Sequence, residues 1–170
     1  AFTAMVQGQS YNFEFYNVEE GLAQSSVKSI IQDSRGHLWV GTQGGGACKF
    51  DGLNFVQFKE RDGLSGNIIT GISEDKEGNI WFTSTWGGVT KYTGRKFFLY
   101  KEEDGNVKTS NNHTVFTDKD GKVWIGHNGG ITIYDHGSFS HIEGEKDGLS
   151  GNSVNRFVQD SEGRMWVATN

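Results

Sequence analysis

The sequence contains few side chains suited to covalent or metal chemistry. There is no nucleophile elbow, no phosphate-cradling loop followed by Lys, no dinucleotide-binding fingerprint and no helical zinc motif. The five histidines, His37, His113, His127, His136 and His141, show no ligand spacing. The single cysteine, Cys48, has no disulfide partner and no neighbouring thiol or spaced imidazoles for zinc, so it is expected to pack as a small apolar residue. Asp118 and Asp120 resemble a cation loop only in part, because the remaining calcium ligands are missing. Asn112-His113-Thr114 fits a glycosylation acceptor, a pattern too short to carry weight by itself. Two groups of amides and hydroxyls, with an imidazole and an indole, stand out by their place in loops: Gln43, Thr85, Trp86, His127, Asn128 and Asn170, and Gln24, Ser25, Asn67, Ser110, Asn111 and Asn152. Such groups hydrogen-bond sugar hydroxyls and stack on a sugar face. That chemistry is binding without turnover.

These residues need a scaffold, and the sequence supplies one by repetition. An Asp, two polar residues, a Gly, any residue, an apolar residue and a Trp recur four times, at 33–39, 75–81, 118–124 and 160–166. The tryptophans Trp39, Trp81, Trp124 and Trp166 are 42, 43 and 42 residues apart, too regular for unrelated loops. Trp86 is the one tryptophan of five outside this position.

Each phrase lies between two β-like runs and therefore reads as a hairpin turn. Asp is favoured at the first position of a type I turn and Gly at the fourth. Asp33 and Gly36, Asp75 and Gly78, Asp118 and Gly121, and Asp160 and Gly163 are accordingly assigned to structure. Glycine-rich breaks at 44–46, 87–88 and 129–130 lead into a third strand, and turns at 51–52, 93–94 and 135–137 lead into a fourth. Four-stranded antiparallel units at this period are blades of a β-propeller, each hiding its faces only against its neighbours. One indole per blade fits between adjacent sheets. The reading is all-β, with about four repeats of ~42 residues and units near 27–58, 69–100, 112–142 and a partial 154–170.

Composition agrees with short strands and tight turns: 25 Gly, no Pro, 5 Trp, 5 Tyr and 12 Phe in 170 residues. A net charge of −5 without a basic stripe argues against a nucleic-acid partner, and no stretch approaches the ~20 apolar residues of a membrane span. Residues 1–10 read as the remnant of a secretory signal or as a closing strand, with 3–7 as the strand in the second case. Residues 11–16 match the fourth strand of a unit and 154–170 the first two, so the ends complement each other. Either the chain closes as a four-blade ring, or it is the start of a larger propeller of six to eight blades, which we favour.

The repeats resemble those of the two-component regulator propeller family. The resemblance rests on Gly63-Leu64-Ser65-Gly66-Asn67, on the run from Ile72 to Trp81, on comparable runs at 21–42 and 148–169, and on Leu38-Trp39-Val40-Gly41-Thr42. Departures occur where Thr83-Ser84 and Gly126-His127 replace Gly-Thr, where Trp86 interrupts the glycine run, and where Asp104-Gly105-Asn106 replaces Gly-Leu in the third connector. The resemblance implies a periplasmic or extracellular sensory module of a hybrid histidine kinase receptor, with a glycan or other small molecule as the signal. Its partners would be the downstream receptor parts and a second receptor copy, with no cofactor.

In a propeller, the loops between second and third strands and those linking blades emerge on one face. The ligand-binding expectation therefore falls on Trp86, Gln43, Thr85, His127, Asn128, Asn67, Asn111 and Asn152, with Trp86 as the stacking residue. The competing expectations are a protein-interaction or receptor-dimerisation scaffold and a propeller lyase or hydrolase.

Overall fold

The computed structural model describes residues 13–108 and 111–170. Fourteen strands follow one another: β1 (Val27–Gln32), β2 (Leu38–Thr42), β3 (Ala47–Phe50), β4 (Phe55–Phe58), β5 (Ile69–Glu74), β6 (Ile80–Ser84), β7 (Gly88–Tyr92), β8 (Phe97–Tyr100), β9 (Asn112–Thr117), β10 (Val123–His127), β11 (Gly130–Asp135), β12 (Ser138–Ile142), β13 (Val154–Gln159) and β14 (Met165–Thr169). They form three four-stranded antiparallel sheets, β1-β2-β3-β4, β5-β6-β7-β8 and β9-β10-β11-β12, and a two-stranded sheet β13-β14. These are β-propeller blades.

The repeated phrase makes the first hairpin of each blade. In blade two the Asp75 carboxylate accepts the backbone N–H groups of Glu77 and Asn79, and the N–H of Gly78 donates to the Asp75 carbonyl oxygen. Gly78 has φ 77°, a conformation in which a Cβ is strained. The preceding blade also reaches this spot, since the Arg35 guanidinium lies 3.3 Å from where a Cβ on Gly78 would stand.

Neighbouring blades are joined by their interiors. Trp39, on β2, packs with Ile69, Ile72, Ile80 and Phe82 of the second blade and meets the Phe82 ring at 5.7 Å. Trp81, on β6, clusters with Val115, Val123 and Ile125 of the third and lies 4.7 Å from the Tyr134 ring. Cover determines exposure: Trp39 is 2 % exposed and Trp81 0 %, while Trp124, facing only the two strands of the last blade, is half-buried. Trp166 departs from the expectation of an inter-blade core, being 60 % exposed, with no further sheet against it among the described residues. Cys48 is buried among Leu22, Val40, Ala23 and Phe55, as expected of a small apolar residue.

The departures at the end of the second strand are absorbed locally. Gly41 is opposed across the hairpin by Ser29, and a Cβ on it would come within 2.6 Å of Ile69. In blade two the larger Thr83 stands there, and its partner across the hairpin is Gly71. A Cβ on Gly71 would lie 2.8 Å from the Thr83 hydroxyl, so bulk has moved from one strand to the other.

Residues 13–16 differ from the expected closing strand. They form no strand, and Tyr16 instead packs on Phe50 and Phe55 of the first blade at 5.0 and 5.8 Å. The signal or closing-strand reading of residues 1–10, and residues 11 and 12, lie outside the described residues.

Candidate functional site

One face carries the loops that follow the second strands and the connectors that link blades. Backbone pairing holds the two loop sets together: Gln43 bridges to Ile68, Thr85 to Asn111 and Asn128 to Ser153. Each position directly after a second strand is thus tied by its main chain to the connector of the next blade. Gln43 and Asn128 are exposed and Thr85 is half-buried.

The connectors are rigidly built. Residues Glu60–Asp62 and Gly144–Asp147 form 3-10 turns. The Asp62 and Asp147 carboxylates accept the N–H groups of Lys59 and Glu143, at 2.9 and 2.7 Å. Asn67 and Asn152 belong to the same clamp, since their side-chain oxygens accept the N–H groups of Glu60 and Glu145, at 2.9 and 3.0 Å. Their carbonyls take further N–H groups from Gly44 and Gly46, and from Gly129. Both amides, expected as ligand contacts, have oxygens already committed to fixing the loops. Leu22 and Leu64 are buried beside the first and second connectors, and Leu149 packs half-buried beside the fourth. In the drifted third connector Val107 is buried instead, an equivalence that spacing alone concealed.

His127 also departs from its expected place on the binding face, because its ring is 0 % exposed. It occupies the position of Thr42 and Ser84, whose hydroxyls donate to the carbonyls of Gly46 and Gly88 beneath the loop. The imidazole is tied to the same loop through other partners. Its Nδ1 is 3.3 Å from the Asn128 carbonyl oxygen, an acceptor only, so Nδ1 carries the proton and Nε2 accepts from the Thr132 hydroxyl at 3.1 Å. The Thr132 oxygen then accepts from Nδ1 of His141 at 3.1 Å. Burial pushes the His127 pKa down to about 4, so the ring is neutral at pH 7.

Asn128 and Asn170 join networks of their own. The Asn128 side-chain oxygen accepts from the Ser153 hydroxyl at 2.9 Å and lies 2.7 Å from His113 Nε2. The Asn155 amide donates to the side-chain oxygen of Asn170 at 2.7 Å. Gln24 is half-buried, Ser25 is exposed, and Ser110 lies outside the described residues.

Trp86 stands apart. It follows Thr85 in the loop between β6 and β7, where Gly44 and Gly129 stand in the first and third blades. Those glycines have φ of 124° and 114°, and Trp86 is held at φ 68°, a region that costs a side-chain-bearing residue about 1–2 kcal/mol. The indole is nevertheless 75 % exposed. It lines a cavity of about 540 Å³ together with Glu60, Ser65, Gly87, Gly88, Lys101, Glu102 and Glu103. The cavity floor is closely packed: a Cβ on Gly87 would fall 1.8 Å from the Ser65 carbonyl oxygen. The Ser65 hydroxyl is paired with that of Ser84 at 2.8 Å. The acidic wall lies outside the amide positions expected from sequence, although Glu60, Glu102 and Glu103 all stand in connectors beside the loop.

A second cavity, of about 340 Å³, is lined by the first strands of all four blades, from Lys28 to Ile31, Thr70 to Ile72, His113 to Val115, and Asn155 and Arg156. It marks the side on which the blades converge. Among the described residues no three His, Cys, Asp or Glu side chains are grouped as a metal ion requires, and no helix is long and apolar enough to cross a membrane.

Comparison with known proteins adds the following. The family described as two component regulator propeller matches residues 21–44, 63–86 and 148–170, the three segments whose connector carries Gly-Leu. A 55-residue stretch is 44 % identical to Histidine kinase P4 of Formosa agariphila, covering 32 % of this chain and 4 % of that protein. The fold is similar to the extracellular domain of the hybrid two component system BT3049 of B. thetaiotaomicron, with TM-score 0.79 and 23 % identity over 91 % of this chain and 22 % of that one. It is also similar to the extracellular domain of the one component system BT4673 of the same organism, with TM-score 0.73 and 25 % identity over 94 % of this chain and 25 % of that one. Virginiamycin B lyase of Staphylococcus aureus shares the fold at TM-score 0.68 and 17 % identity, over 96 % of this chain and 54 % of the lyase. The chain therefore spans a small part of each of the first two relatives.

Proposed function

We propose, for a chain built on two component regulator propeller repeats, that it is the sensory module of a two-component receptor, acting outside the cytoplasm and binding a glycan or other small molecule on its loop face. The similarity to the extracellular domain of the one component system BT4673 and to a histidine kinase supports the receptor context. Downstream receptor parts are then its partners, and the module binds and relays without a catalytic step. The likeness to a lyase is one of fold alone, and fold does not carry activity.

One observation carries the assignment of the face. Trp86 presents an indole to a cavity from a backbone position where the neighbouring blades have glycine. A side chain held there against strain and three-quarters exposed buries little against the fold; a flat sugar or ring stacked on it would account for its presence. A panel of oligosaccharides tests the reading by thermal shift, because a ligand that binds only the folded chain raises its melting temperature. A rise that disappears in Trp86→Ala supports it. A rise that persists in that variant places the site elsewhere, and turnover of any panel member by the chain contradicts the non-catalytic reading.

A second reading, a protein-interaction scaffold, draws on the outer strand β8. It is the edge of its sheet, and Phe98 and Leu99 on it are exposed. An added strand from a partner would cover both. Concentration-dependent sedimentation abolished by Phe98→Lys would favour this reading over the first.

A further inference from the structure

We infer that the cavity beside Trp86 selects a ligand bearing a positive charge, an amine-carrying saccharide, over a neutral one; this rests on the sensory reading of the same face. The cavity contains an exposed indole face and, around it, three carboxylates against one ammonium: Glu60, Glu102 and Glu103 with Lys101. Lys101 is engaged, its Nζ lying 3.3 Å from a Glu103 carboxylate oxygen. Glu60 and Glu102 have no ion-pair partner among the described residues, and both are exposed toward solvent. The wall therefore keeps uncompensated negative charge next to an aromatic ring.

An ammonium group is attracted both by the negative face of an indole and by carboxylates. A sugar supplies the flat apolar face that the indole stacks on, and an amino substituent supplies the charge. A neutral sugar retains only the stacking, and an acidic sugar is repelled. One side of the wall is firmly placed. The N–H of Glu60 is clamped by Asn67, and the neighbouring loop is bridged at Thr85 to Asn111, so the carboxylate and the indole approach from two pinned backbones.

The test uses the chain with its indole N–H resonances resolved by NMR, Trp86 being assigned by its absence in Trp86→Phe. The probes are a glucosamine tetrasaccharide, its fully N-acetylated form and a glucose tetrasaccharide. We expect the amine-bearing probe to shift the Trp86 resonance at concentrations about tenfold lower than either neutral probe. That preference is expected to shrink as salt is raised and to vanish in the double variant Glu60→Gln, Glu102→Gln, whose exposed side chains leave the melting temperature unchanged. If neutral probes shift Trp86 as readily, or if the Gln variant keeps the preference, charge selection is overturned while the sugar-binding face stands. If none of the three probes moves Trp86 and a different sugar does so in a charge-independent way, the inference fails and the sensory reading survives. If no saccharide moves it, both fail.

Discussion

The carboxylate of Asp75 accepts the indole N–H of Trp81 at 2.8 Å, joining the first residue of the hairpin turn to the residue that wedges the next blade. The same bond joins Asp33 to Trp39 at 2.8 Å, Asp118 to Trp124 at 2.7 Å and Asp160 to Trp166 at 2.9 Å. The turn thus does more than reverse the chain: it satisfies the one polar atom of a ring that must be buried, and it fixes the rotamer in which the ring meets its neighbour. Lys91 adds to the arrangement in blade two, its ammonium lying 3.6 Å from Asp75 and 5.3 Å from the ring centres of both Trp81 and Tyr134.

The first prediction concerns that carboxylate. Burial alone would raise the Asp75 pKa, but the hydrogen bonds from Trp81 and Asn79 and the charge of Lys91 outweigh it and hold the group below its ordinary value. Asp75→Ala leaves a buried indole N–H without its acceptor and the half-buried Lys91 ammonium with Glu77 alone, and is expected to cost about 2–4 kcal/mol. Urea denaturation measures the loss. Asp160→Ala, whose tryptophan is already wet, is expected to cost much less, and equal losses at the two positions would contradict the wedge role.

The tryptophans themselves should rank by cover. Trp81→Ala opens a cavity between two sheets and is expected to lose about 3–5 kcal/mol. Trp166→Ala removes a ring with no sheet over it and is expected to lose less than ~1 kcal/mol. Denaturant midpoints of the two variants, compared with wild type at equal m-value, provide the check.

A pH dependence follows from His127. Its folded-state pKa of about 4 lies below the unfolded value near 6.5, so the unfolded chain takes up a proton first as pH falls. Stability is fully present above pH ~6.5 and is lost progressively toward pH ~4, by up to about 3 kcal/mol. His141 is lowered as well, burial being the main cause, and adds a loss of the same sign. The depressed carboxylates of Asp33, Asp75 and Asp160 act below their ordinary range near pH 3.8, so they leave this window to the imidazoles. His127→Gln should flatten the melting temperature between pH 6.5 and 4.5. An unchanged slope would show that the buried imidazole does not titrate as described.

The blade pattern was legible because it is written in residue types with narrow conformational or packing requirements, namely turn Asp, positive-φ Gly and one indole per unit. The Asp-to-Trp bond was not read from those same letters, since a turn preference explains the Asp completely at the level of the chain. Side chains around the loop face were harder still. Asn67 and His127 have the chemistry of ligand contacts, yet local geometry turns one toward the N–H of Glu60 and sinks the other beneath its own loop. Val107 could be recognised as a stand-in for leucine only once its burial was known. Trp86 was singled out by sequence because it breaks the periodicity, and the structure adds its strained backbone and its acidic surroundings.

The most direct test of the account is the thermal melt of Trp86→Gly with and without a saccharide that raises the melting temperature of the wild-type chain. Glycine adopts positive φ without strain, so the variant alone is expected to be as stable as wild type or more so, by up to about 1 kcal/mol. Added saccharide should no longer raise its melting temperature. A variant that loses stability, or that keeps the full ligand-induced rise, would contradict the claim that this indole is held in place for a ligand.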